Sequence, residues 1–379
     1  MAQGWFRRPF RPQVAPMDPA KIVPEGKIIP CMWEHHPQQF MCVVLSSQSF
    51  FIATLIVNCR HIAAVRRRPL TMQRRCYVSI IMLPSIFAVT ANICLLIPRT
   101  LDFSQFLQTC YQAHAVGTFG VLLFSLLSHS AASIPVEEPC MADGSVGPVE
   151  KIVSALAAQG PRKHFAVPPI GCCLAPCLPR HNLTPFQLLL LFRCIRQFTI
   201  VTVSAAIVSM EVVAAEPPHD FGDIVETVQF VTVKLSTVVA VSSLFVLMNT
   251  SKPLLGHLNT KFKFVAIKCT ILFELLRNAI IQTVFNYVFR GAHPQCIEPQ
   301  QQQQMFWMWF LTGWSVVLAV LIRKAFLAEE IEPVSPLLDY GAGHHQLFLL
   351  QSVHAGLGGG QPGALTTPEI ETKRASGEV

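Results

Sequence analysis

Tyr77–Pro98 reads YVSIIMLPSIFAVTANICLLIP, 22 residues without an Asp, Glu, Lys, Arg or His. A helix rises about 1.5 Å per residue, so about 20 apolar residues cross a hydrocarbon core about 30 Å thick. Outward from this stretch, six more have comparable length and composition: Phe40–Cys59, Leu107–Leu127, Phe186–Val213, Val228–Met248, Phe264–Tyr287 and Met305–Ile322. Their connectors alternate in charge. The first carries Arg60, Arg66, Arg67, Arg68, Arg74 and Arg75, the third Lys151, Arg162, Lys163 and Arg180, and the fifth Lys252, Lys261 and Lys263. Arg323 and Lys324 then open the tail. The second connector has Arg99, the sixth Arg290, and the fourth only the acids Glu216, Asp220, Asp223 and Glu226. Lys/Arg-rich loops stay cytoplasmic. The expected fold is an all-α membrane protein, a bundle of seven transmembrane helices with its N-terminus outside and its C-terminus cytoplasmic.

Three regions follow. Residues 1–39 form an extracellular segment broken by prolines, 40–325 the transmembrane domain with a long cytoplasmic loop at 128–185, and 326–379 a disordered cytoplasmic tail. Within the long loop, Val149–Gln159 reads as a short amphipathic helix. Only 13% of the 379 residues are charged, against 51% hydrophobic, about half the charged fraction of a soluble domain. The net charge of +7 lies in juxtamembrane loops, where it serves orientation and attraction to anionic lipid. No array of aromatic and basic residues suited to single-stranded nucleic acid accompanies it, so no nucleic-acid partner is expected. Ala2 rules out N-myristoylation, and the first span must act as the targeting signal. The sequons at Asn182 and Asn249 fall in loops expected inside and should stay unmodified.

Catalytic and metal chemistry find little support. Cys31–His36, CMWEHH, has no second ligand pair at a useful spacing, and no phosphate-loop, zincin or nucleophile-elbow motif stands in a credible context. No enzyme, metal or cofactor is expected. A seven-helix receptor is disfavoured because Ser128, His129 and Ser130 follow the third span in place of an Asp/Glu-Arg-Tyr signature. His114, alone within that span, reads as a hydrogen-bonded packing residue. The candidate binding residues are the ionisable groups inside spans, which are costly in lipid and face a cavity or a partner. They are Arg193 and Arg196, three apart on one face of span four, Lys234 in span five, and Lys268, Glu274 and Arg277 in span six. A surplus of cations suits an anionic amphiphile.

An ordered set of segments resembles the organic solute transporter alpha subunit family. These are LLIPRT at Leu95–Thr100, CYQAHAVGTF at Cys110–Phe119, GCCLAPCLPR at Gly171–Arg180, PFQLLLLFRCIRQF at Pro185–Phe198 and TKFKFVAIKCTILFELLRNAI at Thr260–Ile280. The cysteine run is thinner than in some relatives, and Gln112 stands where an acidic residue is often found. The resemblance implies facilitated diffusion of organic anions such as bile acids or conjugated steroids across the cell membrane. It implies a heteromer with a single-span beta-type subunit and lipidation of the cysteine run, here Cys172, Cys173 and Cys177. A trafficking or membrane-organising protein without transport is the alternative.

Overall fold

A computed structural model describes residues 37–132, 148–161, 165, 180–215, 219–256, 260–288 and 299–331. The cysteine run and the CMWEHH segment lie outside these residues. The described residues are organised by eight α-helices: α1 (Pro37–Arg66), α2 (Met72–Leu96), α3 (Leu101–Ala132), α4 (Pro148–Ala157), α5 (Pro185–Ala215), α6 (His219–Ser251), α7 (Thr260–Val288) and α8 (Pro299–Ala325). Short 3-10 turns at Pro98–Thr100 and Ala328–Glu330 precede α3 and follow α8.

Helix starts are written locally. Four helices begin on proline, whose missing N–H costs nothing in a first turn. Thr71 caps α2, its hydroxyl accepting from the Arg74 N–H at 3.2 Å. Thr184 and Gln187 form a reciprocal box at the start of α5, with bonds of 3.1 and 3.2 Å, which satisfies two otherwise orphaned N–H groups. The amphipathic helix expected in the long loop forms as α4 and buries Ile152, Ala155 and Leu156 against α3 and α5.

Among the described residues, six helices are long and apolar enough to cross a membrane: α1, α2, α3, α5, α6 and α8. The fold is thus a helical membrane bundle. α7 has 29 residues, ample length, but Glu274, Arg277, Asn278 and Gln282 lower the hydropathy of its middle. Helices also outrun the expected spans: α1 continues past Cys59 to Arg66, and α3 past Leu127 to Ala132. Hydropathy ends where water begins, whereas backbone hydrogen bonding continues into the polar layer.

α2 and α3 form the centre. α2 packs against α1, α3 and α8; α3 also meets α5; α8 meets α1 and α7; α6 lies along α5. Since lipid is as apolar as leucine, helices associate through close packing and polar contacts rather than through hydrophobicity. Both devices are present. A Cβ on Gly117 would stand 2.8 Å from Thr199 Oγ1, and one on Gly120 would stand 3.1 Å from Ile195 Cγ2, so these glycines let α3 approach α5. Thr199 Oγ1 donates to the Ala113 carbonyl at 3.0 Å across the same seam. Asn92 on α2 accepts from Ser47 and Gln48 on α1, each at 3.0 Å. Asn58 donates to Ser85 at 2.7 Å, Gln108 to Thr90 at 2.9 Å, and Thr54 pairs with Ser315 at 2.9 Å.

The segment expected to begin a disordered tail behaves otherwise in its first residues. Phe326 and Ile331 are buried. The Phe326 ring meets Tyr77 edge-on at 5.3 Å and Phe119 at 6.4 Å. One large aromatic and two aliphatic positions in Phe326–Ile331 suffice to fold the stretch back onto the bundle.

Candidate functional site

The end of the bundle where α1 gives way to α2 is basic, and there the structure opens a cleft of about 400 Å³. Arg66 closes α1, and Arg74 and Arg75 sit in the first turn of α2. Val78, Ser79 and Met82 continue the same wall, with Leu70 from the turn and Tyr111 from α3 opposite. The spacing explains the wall: residues 75, 78, 79 and 82 fall on one helix face. Arg74 Nη1 donates to the Arg68 carbonyl at 2.8 Å, which ties the turn down and fixes one guanidinium. Among the described residues, no carboxylate pairs with Arg66, Arg74 or Arg75. Three guanidiniums beside an apolar wall offer charge-assisted donors next to an apolar surface.

A polar cluster borders the cleft. Tyr111 donates its hydroxyl to the Ser79 carbonyl at 2.8 Å. Ser79 Oγ and His114 Nε2 are 2.8 Å apart, and Thr118 Oγ1 lies 3.5 Å from the same nitrogen. The hydrogen bond expected of His114 is present, but the side chain is exposed rather than packed inside.

Behind the cleft, a buried ion pair joins Lys263 of α7 to Glu330, with Lys263 fully inaccessible and Glu330 11% exposed. Tyr77 donates to Glu330 Oε2 at 3.1 Å, and the Lys263 ammonium lies 5.8 Å from the Tyr77 ring centroid. Gln73 donates to the Glu330 carbonyl at 3.2 Å, while His61 Nε2 meets the Phe326 carbonyl at 2.8 Å. Stretches of α1, α2 and α7 therefore converge on Phe326–Glu330, and Phe119 of α3 adds a fourth.

Among the described residues, the cations expected from the spans meet different aromatic partners or stand exposed. Arg193 and Arg196 are exposed on α5, about 12 and 17 Å from its start. Lys234 stands over the Phe230 ring of its own helix at 5.3 Å. Lys268 reaches from α7 to the Phe245 ring of α6 at 4.6 Å, and Arg277 lies 5.4 Å from the Trp307 ring of α8. Such stacking lowers the cost of a cation in an apolar setting. The Glu274 side chain, like Cys172, Cys173 and Cys177, lies outside what the structure describes. Sequence reasoning treated Arg66, Arg74, Arg75 and Lys263 as signals of orientation only. The adjacent pair Arg74–Arg75, one turn before Val78 and Ser79, was the available sign of a basic rim on an apolar wall.

Comparison with curated proteins yields no match, and none is found among solved structures. The family model for the organic solute transporter Ostalpha matches residues 41–331, a range that takes in all the helices but the first turn of α1. A helical membrane bundle with a basic, half-apolar cleft accords with that match, and the chain belongs to the organic solute transporter Ostalpha family of membrane transporters.

Proposed function

We propose that the protein carries organic anions or amphipathic solutes, of the bile acid or conjugated steroid type, by facilitated diffusion across the cell membrane. It does so as the alpha subunit of a heteromer with a single-span beta-type subunit. The observation that carries this reading is the cleft at Arg66, Arg74 and Arg75. Guanidiniums with no carboxylate partner among the described residues, beside Val78 and Met82, match a solute that is charged at one end and apolar at the other. In this reading α7 is the seventh span, the N-terminus is outside, and the basic end faces the cytoplasm. Lipidation of Cys172, Cys173 and Cys177 anchors the long loop at that face.

Arg193, Arg196, Lys234, Lys268, Glu274 and Arg277 serve as further contacts along the solute's path, with Arg193 and Arg196 presented together on α5. The test is uptake of a labelled conjugated steroid in cells expressing the chain alone and with candidate single-span partners. Uptake that appears only with a partner supports the heteromer. Normal surface delivery with no transport of any amphipath sinks the transport reading and favours the organising role. Unchanged uptake after Arg193→Ala with Arg196→Ala, at normal surface levels, removes those two residues from the path.

A further inference from the structure

His114 poses a physical problem that packing does not solve. Polar groups that only hold transmembrane helices together are buried between them, as Gln108 and Gln112 of the same helix are. His114 is exposed, and it lies about 10 Å from the nearer end of the apolar stretch Leu107–Leu127. An imidazole exposed at that depth toward hydrocarbon is unfavourable, and such groups mark solute pathways. Nor does the contact between α2 and α3 need it, since Tyr111 to the Ser79 carbonyl and Gln108 to Thr90 already join the two helices. Nε2 is engaged by Ser79 and Thr118, whereas Nδ1 makes no hydrogen bond among the described residues. Either tautomer leaves that nitrogen one hydrogen-bonding valence.

Ser79 lines the arginine cleft and holds His114, so the two features are continuous. Arg75 and Ser79 are four residues apart on α2, a rise of about 6 Å. Between Arg75 and Met82, Val78 supplies an apolar surface along the same face. Along this face the order is Arg75, Val78, Ser79 and Met82, so the cations stand at one end and the hydrogen-bonding pair lies among the aliphatic side chains.

We propose that the arginine cleft and the Ser79–His114 pair form one site with two stations for an amphipathic anion. Arg66, Arg74 and Arg75 hold the anionic group, and Ser79–His114 hydrogen-bonds a hydroxyl on the apolar body at least one helical turn away. The inference rests on the transport reading for its biological use, but binding can be measured without transport. His114 is on this account a specificity-determining residue: it selects hydroxylated bodies over plain ones.

The experiment measures equilibrium binding of two probes to the full-length chain in vesicles of zwitterionic lipid. One is a steroid sulfate with a hydroxyl on the ring farthest from the sulfate; the other is its deoxy analogue. A net hydrogen bond predicts that the wild type prefers the hydroxylated probe by roughly three- to tenfold. His114→Leu and Ser79→Ala each bring that preference to about one while the sulfates still bind, and His114→Gln retains most of it. Arg74→Gln with Arg75→Gln weakens both probes by roughly tenfold, with the preference unchanged, as loss of charge-assisted contacts requires.

A preference that survives His114→Leu overturns the proposal, as does full-strength binding to the arginine variant or no binding to the wild type. A further arm adds anionic phospholipid to the vesicles. Equal displacement of both probes, with no hydroxyl preference at the start, would show a lipid headgroup site and refute the assignment. Uptake assayed in parallel separates the two claims. If the binding pattern holds but neither probe is taken up with any partner, the transport reading fails and the site stands.

Discussion

Removing one member of the Lys263–Glu330 pair should destabilise the bundle more than almost any other single change. Lys263 is fully inaccessible and Glu330 only 11% exposed, so each charge is largely shielded from water when the other is lost. Breaking a buried pair costs about 3–5 kcal/mol, whereas replacing both partners with apolar residues is often neutral or stabilising. Glu330→Gln removes the carboxylate from an inaccessible ammonium that faces the Tyr77 ring at 5.8 Å. Lys263→Met leaves a carboxylate whose remaining hydrogen bond among the described residues is from the Tyr77 hydroxyl at 3.1 Å. Each single variant should therefore lose about two to four decades in folding equilibrium, since each decade is about 1.4 kcal/mol. Lys263→Met combined with Glu330→Leu should recover most of the loss. The assay is thermal unfolding of the full-length chain in detergent, followed by retention of monodisperse protein, with surface delivery in cells as a second readout. Losses that simply add in the double variant would show that the two residues act separately. A Lys263→Met protein as stable as the wild type would show that the buried charge contributes nothing.

Three more outcomes can be checked with simple assays. Gly117→Ala places a methyl 2.8 Å from Thr199 Oγ1 and breaks that hydroxyl's bond to Ala113. It should cost about 1–3 kcal/mol, and Thr199→Ala should recover part of the surface expression lost. Asn182 and Asn249 face the cytoplasm in the proposed orientation, so glycosidase treatment should leave electrophoretic mobility unchanged; a shift lost on Asn182→Gln or Asn249→Gln would invert the topology. Replacing Cys172, Cys173 and Cys177 with Ser should abolish incorporation of a palmitate analogue, and persistent labelling would place the lipid elsewhere.

The helices themselves were largely legible. Tyr77–Pro98 has no charge to place in water, and Pro185 after Thr184 announces a helix start, so local chemistry gives both. α4 was legible for the same reason, because its apolar residues recur at helical spacing. The site was not. Arg74 and Arg75 look like any basic loop until α1 and α3 close around them. His114 looked like a packing residue, because nothing in a uniformly apolar stretch says which side is outward. Phe326–Glu330 was read as the start of a disordered tail because the chain beyond it is rich in Gly, Pro, Ser and charge, yet Phe326 finds partners in Tyr77 and Phe119, and Glu330 finds one in Lys263.

Sequence by itself determined the membrane class, the helix-rich fold and the sorting of charge between connectors. Those properties are sums over about 20 neighbouring residues, and they do not depend on what lies across the bundle. Tertiary structure alone decided that Lys263 meets Glu330 across 67 residues, that Ser79 meets His114, and that Arg66, Arg74 and Arg75 share a wall with Tyr111. Each such meeting depends on how a helix is rotated about its axis, and one residue of shift turns a side chain by about 100°. A span apolar on every side does not encode that rotation in its pattern. Glycine seams, buried amides and a single ion pair set it, and they act only once the helices are in contact.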